Sequence, residues 1–314
     1  MPTIVTLTFS PCIDKSTTVP SMMPEKKLQC TAPKLEPGGG GINVARAIKK
    51  LGGETIAVFP SGGYTGKFFN HLLHAENIPA IIVDTQNETR ENFIVLDIAG
   101  NSQYRFGMPG TVLLEAEWKK CIDAIENIPE AGFVVASGSL PPGVPADIYR
   151  QLAAITRRKG AKFVVDTSGD ALRYAAEEGV YLLKPNLGEL STLTGISQID
   201  TTIVENIAMD FLRGGNCEIM VVSMGEKGAV LATKKEAYRI VPPEVERKST
   251  VGAGDSMVAG IVYSLSNGDS LKQSLAYGVA CGTAATMNYG TELCNKNDVE
   301  MLLRKIELNN TIAG

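Results

Sequence analysis

Short runs rich in β-branched and apolar residues alternate with amphipathic helical patterns along most of this chain, and that alternation leaves few folds open to it. The runs are TIVTLTF (3–9), TIAVFP (55–60), AIIVD (80–84), GFVVASG (132–138), KFVVD (162–166), VYLLK (180–184) and EIMVVS (218–223). Several are apolar without a break, as strands covered on both faces require, whereas a strand with one face in water alternates. Between them, INVARAIKKLGG, EAEWKKCIDAIEN and ADIYRQLAAITRRKG carry helical periodicity and stop near Gly, Asn or basic residues. Strands alternating with helices imply right-handed crossovers, and so an α/β fold with a mainly parallel sheet flanked by helices.

Two stretches depart from this rhythm. Residues 11–35 and 88–107 lack helix periodicity, and the second reads as a hairpin turning at Ala99-Gly100-Asn101. Together they predict a small β-sheet lid. A length of 314 residues admits one domain or two. With no tandem repeat or low-complexity linker, residues 1–314 read as a single α/β domain carrying the lid as insertions.

Thirty basic against 34 acidic residues leave a net charge of −4. That offers no long-range attraction to nucleic acid or an anionic membrane, so phosphate recognition must come from a local cluster, which favours a small-molecule site. No charged leader opens the chain and no apolar run nears the roughly 20 residues of a membrane span, so a cytoplasmic location is expected. Six scattered cysteines without a C-x-x-C pair speak against zinc and disulfide frameworks. His71 and His74 stand three apart in a helical pattern; without an acidic or Cys partner nearby they read as surface residues.

Four constellations carry chemistry. In STVGAGDSMVAG (249–260), glycines run into a helix start, a natural anion site, with Asp255 in the first turn. It is neither a Walker A loop, which needs Lys-Ser/Thr after the glycines, nor a dinucleotide fingerprint, because the last glycine position is Met257. Amides at Gly252, Ala253 and Gly254 can surround a transferring phosphoryl group while Asp255 accepts a hydroxyl proton. Alternatively, Asp255 merely stabilises its own helix. EPGGGGINVARAIKKLGG (36–53) allows close backbone approach at Gly38–Gly41 and offers the Asn43 amide to sugar hydroxyls; a flexible linker is the competing reading, though linkers rarely lead into strong amphipathic helices. Asn186 and Glu189 in KPNLGE suit hydrated Mg²⁺, or an N-cap with an acidic first turn. Ser223, Gly225 and Gly228 form a turn between strands that lines a nucleotide phosphate or is simply a hairpin.

Individually weak, these four motifs stand in the order found in the ribokinase-like carbohydrate kinases, the PfkB family, which the chain resembles over essentially its whole length. The resemblance implies a ribokinase-like three-layer core with a β lid, and an ATP- and Mg²⁺-dependent sugar kinase. LTFSPCIDKSTTVP and QYRFGMPG are most similar to the phosphosugar branch. Relatives acting on fructose 1-phosphate or tagatose 6-phosphate usually carry G-G-K-G in the early run, whereas Gly40 stands here. The expected reaction is therefore phosphorylation of fructose 6-phosphate at its C1 hydroxyl, with those two acceptors as alternatives and a non-catalytic sugar-phosphate sensor as a distant one.

Carried over residue by residue, the resemblance makes Asp255 the base and Gly252, Ala253 and Gly254 the anion hole. Asp14, Gly39 and Asn43 would hold sugar hydroxyls, and Lys27, Arg90, Asn92, Arg105 and Ser139 the sugar's 6-phosphate. On the nucleotide side it implies Lys184, Asn186, Ser223, Gly225 and Gly228, with Gly278, Cys281 and Ala285 at the adenine. Asn186 and Glu189 would hold Mg²⁺ through water, and Ser249, Val251 and residues 286–291 lie where relatives bind K⁺. An apolar lid strand must be paired, so a homodimer through the lid is expected.

Overall fold

All seven apolar runs become strands of one sheet. The structure, a computed structural model, describes residues 2–215 and 217–312. The chain opens with β1 (Thr3–Leu7), β2 (Cys12–Val19), β3 (Lys34–Gly38), α1 (Gly40–Lys50), β4 (Thr55–Gly62), α2 (Gly63–Ala75), β5 (Ala80–Thr85), β6 (Arg90–Asp97) and β7 (Ser102–Phe106). It continues through α3 (Glu115–Asn127), β8 (Ala131–Ser137), α4 (Ile148–Arg158), β9 (Lys162–Asp166), α5 (Gly169–Glu178), β10 (Leu182–Leu183), α6 (Leu187–Thr194), α7 (Val204–Gly214) and β11 (Ile219–Ser223). It closes with β12 (Ala229–Ala232), β13 (Ala237–Ile240), α8 (Ala253–Ser266), α9 (Leu271–Thr286) and α10 (Lys296–Ile312).

The main sheet has the order β13-β12-β11-β10-β9-β8-β1-β4-β5. It is parallel from β5 to β11; β12 and β13 add an antiparallel edge. Consecutive residues show why the runs are unbroken. Val134, Val165 and Val222 pack with Trp118, Leu152 and Leu212 on one face. Their neighbours Val135, Val164 and Val221 pack with Val44, Val262 and Ala280 on the other. Each fully buried aliphatic side chain contributes about 1.5–3 kcal/mol, so both helical layers are held by the same strands.

The two irregular stretches form a separate sheet, β3-β2-β6-β7. Its β2–β6 pairing is parallel and its outer pairings antiparallel. The hairpin turns at 98–101 as expected, with Asn101 at φ 42° and the Gly100 amide donating to Asp97. The first insertion extends further than residue 35: β3 runs to Gly38 and delivers the chain into the glycine run.

A buried ion network fixes that junction. Arg46 of α1, only 2% exposed, donates to Glu76, to the Pro37 carbonyl and to Glu36. Glu36 also accepts from the Thr291 hydroxyl at 2.6 Å, tying β3 to the segment after α9. On α2, His71 and His74 are exposed; no metal-holding group of three or more His, Cys, Asp or Glu occurs among the described residues.

Candidate active site

Parallel sheets bind ligands beyond the C-terminal ends of their strands. There β8 ends at Ser137, β9 at Asp166 and β11 at Ser223, and Lys184 directly follows β10. Above them the chain turns at Gly252, φ 74°, into α8, placing Asp255 in the first turn. Such a turn leaves amides without intrahelical partners, an anion hole made by the backbone.

Asp255 is pinned from two elements. Asn43 of α1 donates to Oδ2 at 2.9 Å, and the Ser137 hydroxyl donates to Oδ1 at 3.4 Å. Burial, then the charge of Asp166, pushes its carboxyl up to about 6, against the pull of Asn43, Lys184 and Ser137. An acid poised there is a base available at neutral pH. Lys184 pairs with Asp166 at 3.1 Å. Burial works to lower its ammonium, yet Asp166 chiefly, with Asp255 and Glu189, holds it above its ordinary value. A Cβ on Gly254 would lie 3.7 Å from Lys184 Nζ, so this cation sits beside the anion hole.

The acceptor side grows from β2, β6 and the glycine run. Gly39 has φ 107°, and a Cβ there would meet Thr8 Cγ2 at 3.0 Å and Pro11 Cα at 3.1 Å. Asp14 accepts from Asn92 at 3.0 Å and Cys12 at 3.3 Å; burial raises its carboxyl, and these hydrogen bonds oppose it. Arg90 donates to the carbonyls of Met108 (2.8 Å) and Ser10 (3.2 Å). Its buried Nε, like the buried Oδ1 of Asn43, has no hydrogen-bond partner among the described residues. A buried polar atom left unpaired is costly, so both are marks of a site completed by a ligand.

On the other side of Asp255 lies a groove of about 600 Å³, within the range of small-molecule sites. Ser223, Gly225 and Gly228 line one wall and Ala253 and Gly254 the other, with Thr250, Val279, Gly282, Thr283 and Thr286 completing it. Gly278, Cys281 and Ala285, expected at the adenine, do not line it. A Cβ on Gly278 would strike Ile261, Cys281 packs against Gly260, and Ala285 is fully buried in the core. The adjacent stripe of α9 faces the groove instead. A larger hollow of about 740 Å³, around Lys162, Tyr181 and Glu218, sits at the opposite end of the sheet, away from these groups.

Other expected residues fall into four sets. Asn186 and Glu189 form a reciprocal capping box, each side chain accepting from the other's amide at 2.9 and 2.8 Å. Their helix-start role is thus what the side chains perform, beside Ser223, which bridges to Asn186. Ser249 donates to the Gly290 carbonyl at 2.7 Å and accepts from the Val251 amide, joining the late loop to the 286–291 segment. Lys27 and Ser139 are exposed and hold no hydrogen bond to this cluster among the described residues. Arg105 reaches Thr250 Oγ1 at 2.6 Å, on the groove side rather than beside Arg90. Ser137 and Asp166 were not among the expected residues, although a polar residue ending an apolar parallel strand is a readable signal.

The family model for pfkB family carbohydrate kinases matches residues 7–298. The ATP-dependent 6-phosphofructokinase isozyme 2 of Escherichia coli (strain K12) is 43% identical over 300 residues, covering 95% of this chain and 97% of that protein. The crystal structure of Escherichia coli phosphofructokinase-2 in complex with fructose-6-phosphate superimposes with a TM-score of 0.92 at 40% identity, covering 98% of this chain and 100% of that one. Its complex with potassium gives the same TM-score and coverage at 41% identity. With the catalytic loop, the glycine run and the lid all in place on a matching fold, this chain belongs to the PfkB family of carbohydrate kinases.

Proposed function

We propose that the protein is an ATP-dependent 6-phosphofructokinase, transferring the γ-phosphoryl group of ATP to the C1 hydroxyl of fructose 6-phosphate. The observation that carries this is Asp255, held by Asn43 and Ser137 between the acceptor cluster and the helix-start amides. Asp255 takes the hydroxyl proton as the oxygen attacks; the amides at Gly252, Ala253 and Gly254, with Lys184, face the charge on the moving phosphoryl. Asp14, Gly39 and Asn43 orient the sugar, and Arg90 with Asn92 holds its 6-phosphate, for which a planar guanidinium is suited. Hard oxygens at Asp166, Asn186 and Glu189 suit a hydrated Mg²⁺ arriving with the nucleotide, where it neutralises phosphate charge. Ser249, Val251 and the 286–291 segment are the place for K⁺.

Residues 1–314 work as one kinase domain, and insertions 11–35 and 88–107 close over the acceptor as a lid that keeps water from the γ-phosphoryl. Gly40 supports fructose 6-phosphate over its two alternatives: a side chain there would strike Ser137 and lie 2.6 Å from the Gly138 amide. A coupled assay with ATP, Mg²⁺ and each of fructose 6-phosphate, fructose 1-phosphate and tagatose 6-phosphate tests the reading; an equal or higher specificity constant for either of the others refutes it. The lid's Phe93, Tyr104 and Phe106 are 40–44% exposed, and a second lid covers them in a homodimer. Light scattering at micromolar concentration checks this, and a monomer refutes it. No helix among the described residues is long and apolar enough to cross a membrane. A cytoplasmic location fits the pair of soluble metabolites proposed as substrates.

A further inference from the structure

Arg105 and Arg90 both arise from the lid, yet they face different partners. Arg90 is bound to the Ser10 and Met108 carbonyls and lies 3.4 Å from Asn92, all on the acceptor side. Arg105 extends from β7 to Thr250, immediately before the Val251–Gly252 turn into α8. Thr250 lines the groove together with Ala253 and Gly254. Next to it on the same strand, Gln103 donates to Ser249 at 3.3 Å, so two consecutive outward positions of β7 clasp two consecutive residues of the loop.

Arg105 makes no ion pair among the described residues, and its shortest contact is to a neutral hydroxyl. Partial burial lowers its guanidinium, opposed by the charge of Asp14 across the acceptor site. A solvent-accessible cation whose side-chain partners are the neutral Thr250 hydroxyl and the Gln103 amide oxygen at 3.4 Å, with a carboxylate on the sugar side, is ready to exchange them for a phosphoryl oxygen.

We propose that Arg105 is a catalytic residue that the lid carries onto the transferring phosphoryl group, and not a ligand of the sugar's own 6-phosphate. In the step, the C1 oxygen bonds to the γ-phosphorus as the bond to the β,γ-bridging oxygen breaks. The hydroxyl proton passes to Asp255, and ADP departs with the bond's electron pair. Arg105 makes and breaks no covalent bond; it neutralises charge on the oxygens of the moving group, as arginines supplied to phosphoryl-transfer sites do. Because Arg105 rides on the lid, closure over the sugar and completion of the phosphoryl site become one event.

The proposal rests on the phosphofructokinase reading, which wild-type turnover of fructose 6-phosphate tests first and separately. Arg105→Gln, Arg105→Lys and Arg90→Gln are then compared by steady-state kinetics and by calorimetric binding of fructose 6-phosphate. Arg105→Gln is expected to lower kcat by about 100-fold or more while the Kd for fructose 6-phosphate stays within about threefold. Arg105→Lys keeps the charge but not the fork and loses at least about tenfold in kcat, which guards against a folding defect peculiar to the first variant. Arg90→Gln shows the reverse split, a weakened Kd. If either Arg105 variant weakens fructose 6-phosphate binding tenfold, or leaves kcat within threefold of wild type, the proposal is wrong.

Discussion

Replacing Asp255 by asparagine is expected to abolish turnover and at the same time make the protein more stable. Its carboxyl is raised from 3.8 to about 6 by burial and by Asp166. At 1.36 kcal/mol per unit, about two units amount to roughly 3 kcal/mol of unfavourable free energy in the folded, ionised state. The side chain keeps partial access to solvent, and screening reduces the figure to about 1–2 kcal/mol. The folded state binds this proton more tightly than the unfolded state, so the penalty is full above the folded value near 6 and disappears as pH falls toward the ordinary value. The substituted asparagine is neutral throughout and retains a hydrogen-bonding amide for Ser137 and Asn43. Thermal melts of the two proteins should therefore diverge at pH 7.5 by roughly 2–3 °C in favour of the variant, from about 2.1 cal/mol/K of unfolding entropy per residue. The difference should close between pH 6 and pH 4. A variant that melts at or below wild type at pH 7.5, or a difference that does not change with pH, would refute the assignment of a strained, ionised acid at this position.

The same acid sets a kinetic limb: kcat should rise with pH through about 6, because only the ionised carboxylate accepts a proton. Ser137→Ala removes a donor to that carboxylate and should move the limb to higher pH in a pH–rate profile; a shift to lower pH contradicts the geometry. Arg46→Ala strands the buried Glu36 carboxylate and should cost about 3–5 kcal/mol, read from the urea midpoint, with a loss under 1 kcal/mol excluding a structural role for the network. Gly39→Ala forces a Cβ into φ 107° and against Thr8 and Pro11, and should cost about 1–2 kcal/mol and weaken fructose 6-phosphate binding; unchanged binding by calorimetry removes Gly39 from the acceptor site.

The layered sheet was legible because burial on both faces leaves an unbroken apolar run in its central strands, as at Val134 and Val135. The loops were legible because glycine and Asp255 occur where backbone must approach a ligand. The rotation of α9 was not. Buried on nearly every side, it presents Gly278 and Cys281 to α8 and Gly282 and Thr283 to the groove with no polar contrast between the stripes. One residue is a turn of about 100°, so positions adjacent in sequence on α9 face the core and the groove. Lys27 lies away from the cluster for another reason: residues 20–33 hold no strand or helix, and nothing in their pattern fixes where a side chain goes. Ser137 and Asp166 depend on strand order, which brings β8 and β9 side by side and which no local pattern encodes. Arg105 was read toward the sugar's 6-phosphate, whereas its partner in the structure, Thr250, lies 145 residues away in sequence, where no local pattern reaches.

The two halves of the site come from opposite ends of the chain. The residues proposed to hold the acceptor, from Asp14 to Asn92, precede β8, while the groove proposed for the donor runs from Ser223 to Thr286. Few polar side-chain contacts join the early and late segments among the described residues: Asn43 to Asp255, Gln103 to Ser249, Arg105 to Thr250, Glu36 to Thr291 and Lys34 to Glu292. A recombination event between α3 and α7 would therefore hand down the sugar pocket and the nucleotide groove as separate inheritances, with only this short seam left to be matched. Changing the sugar while keeping ATP is, for such a chain, a change to its first third.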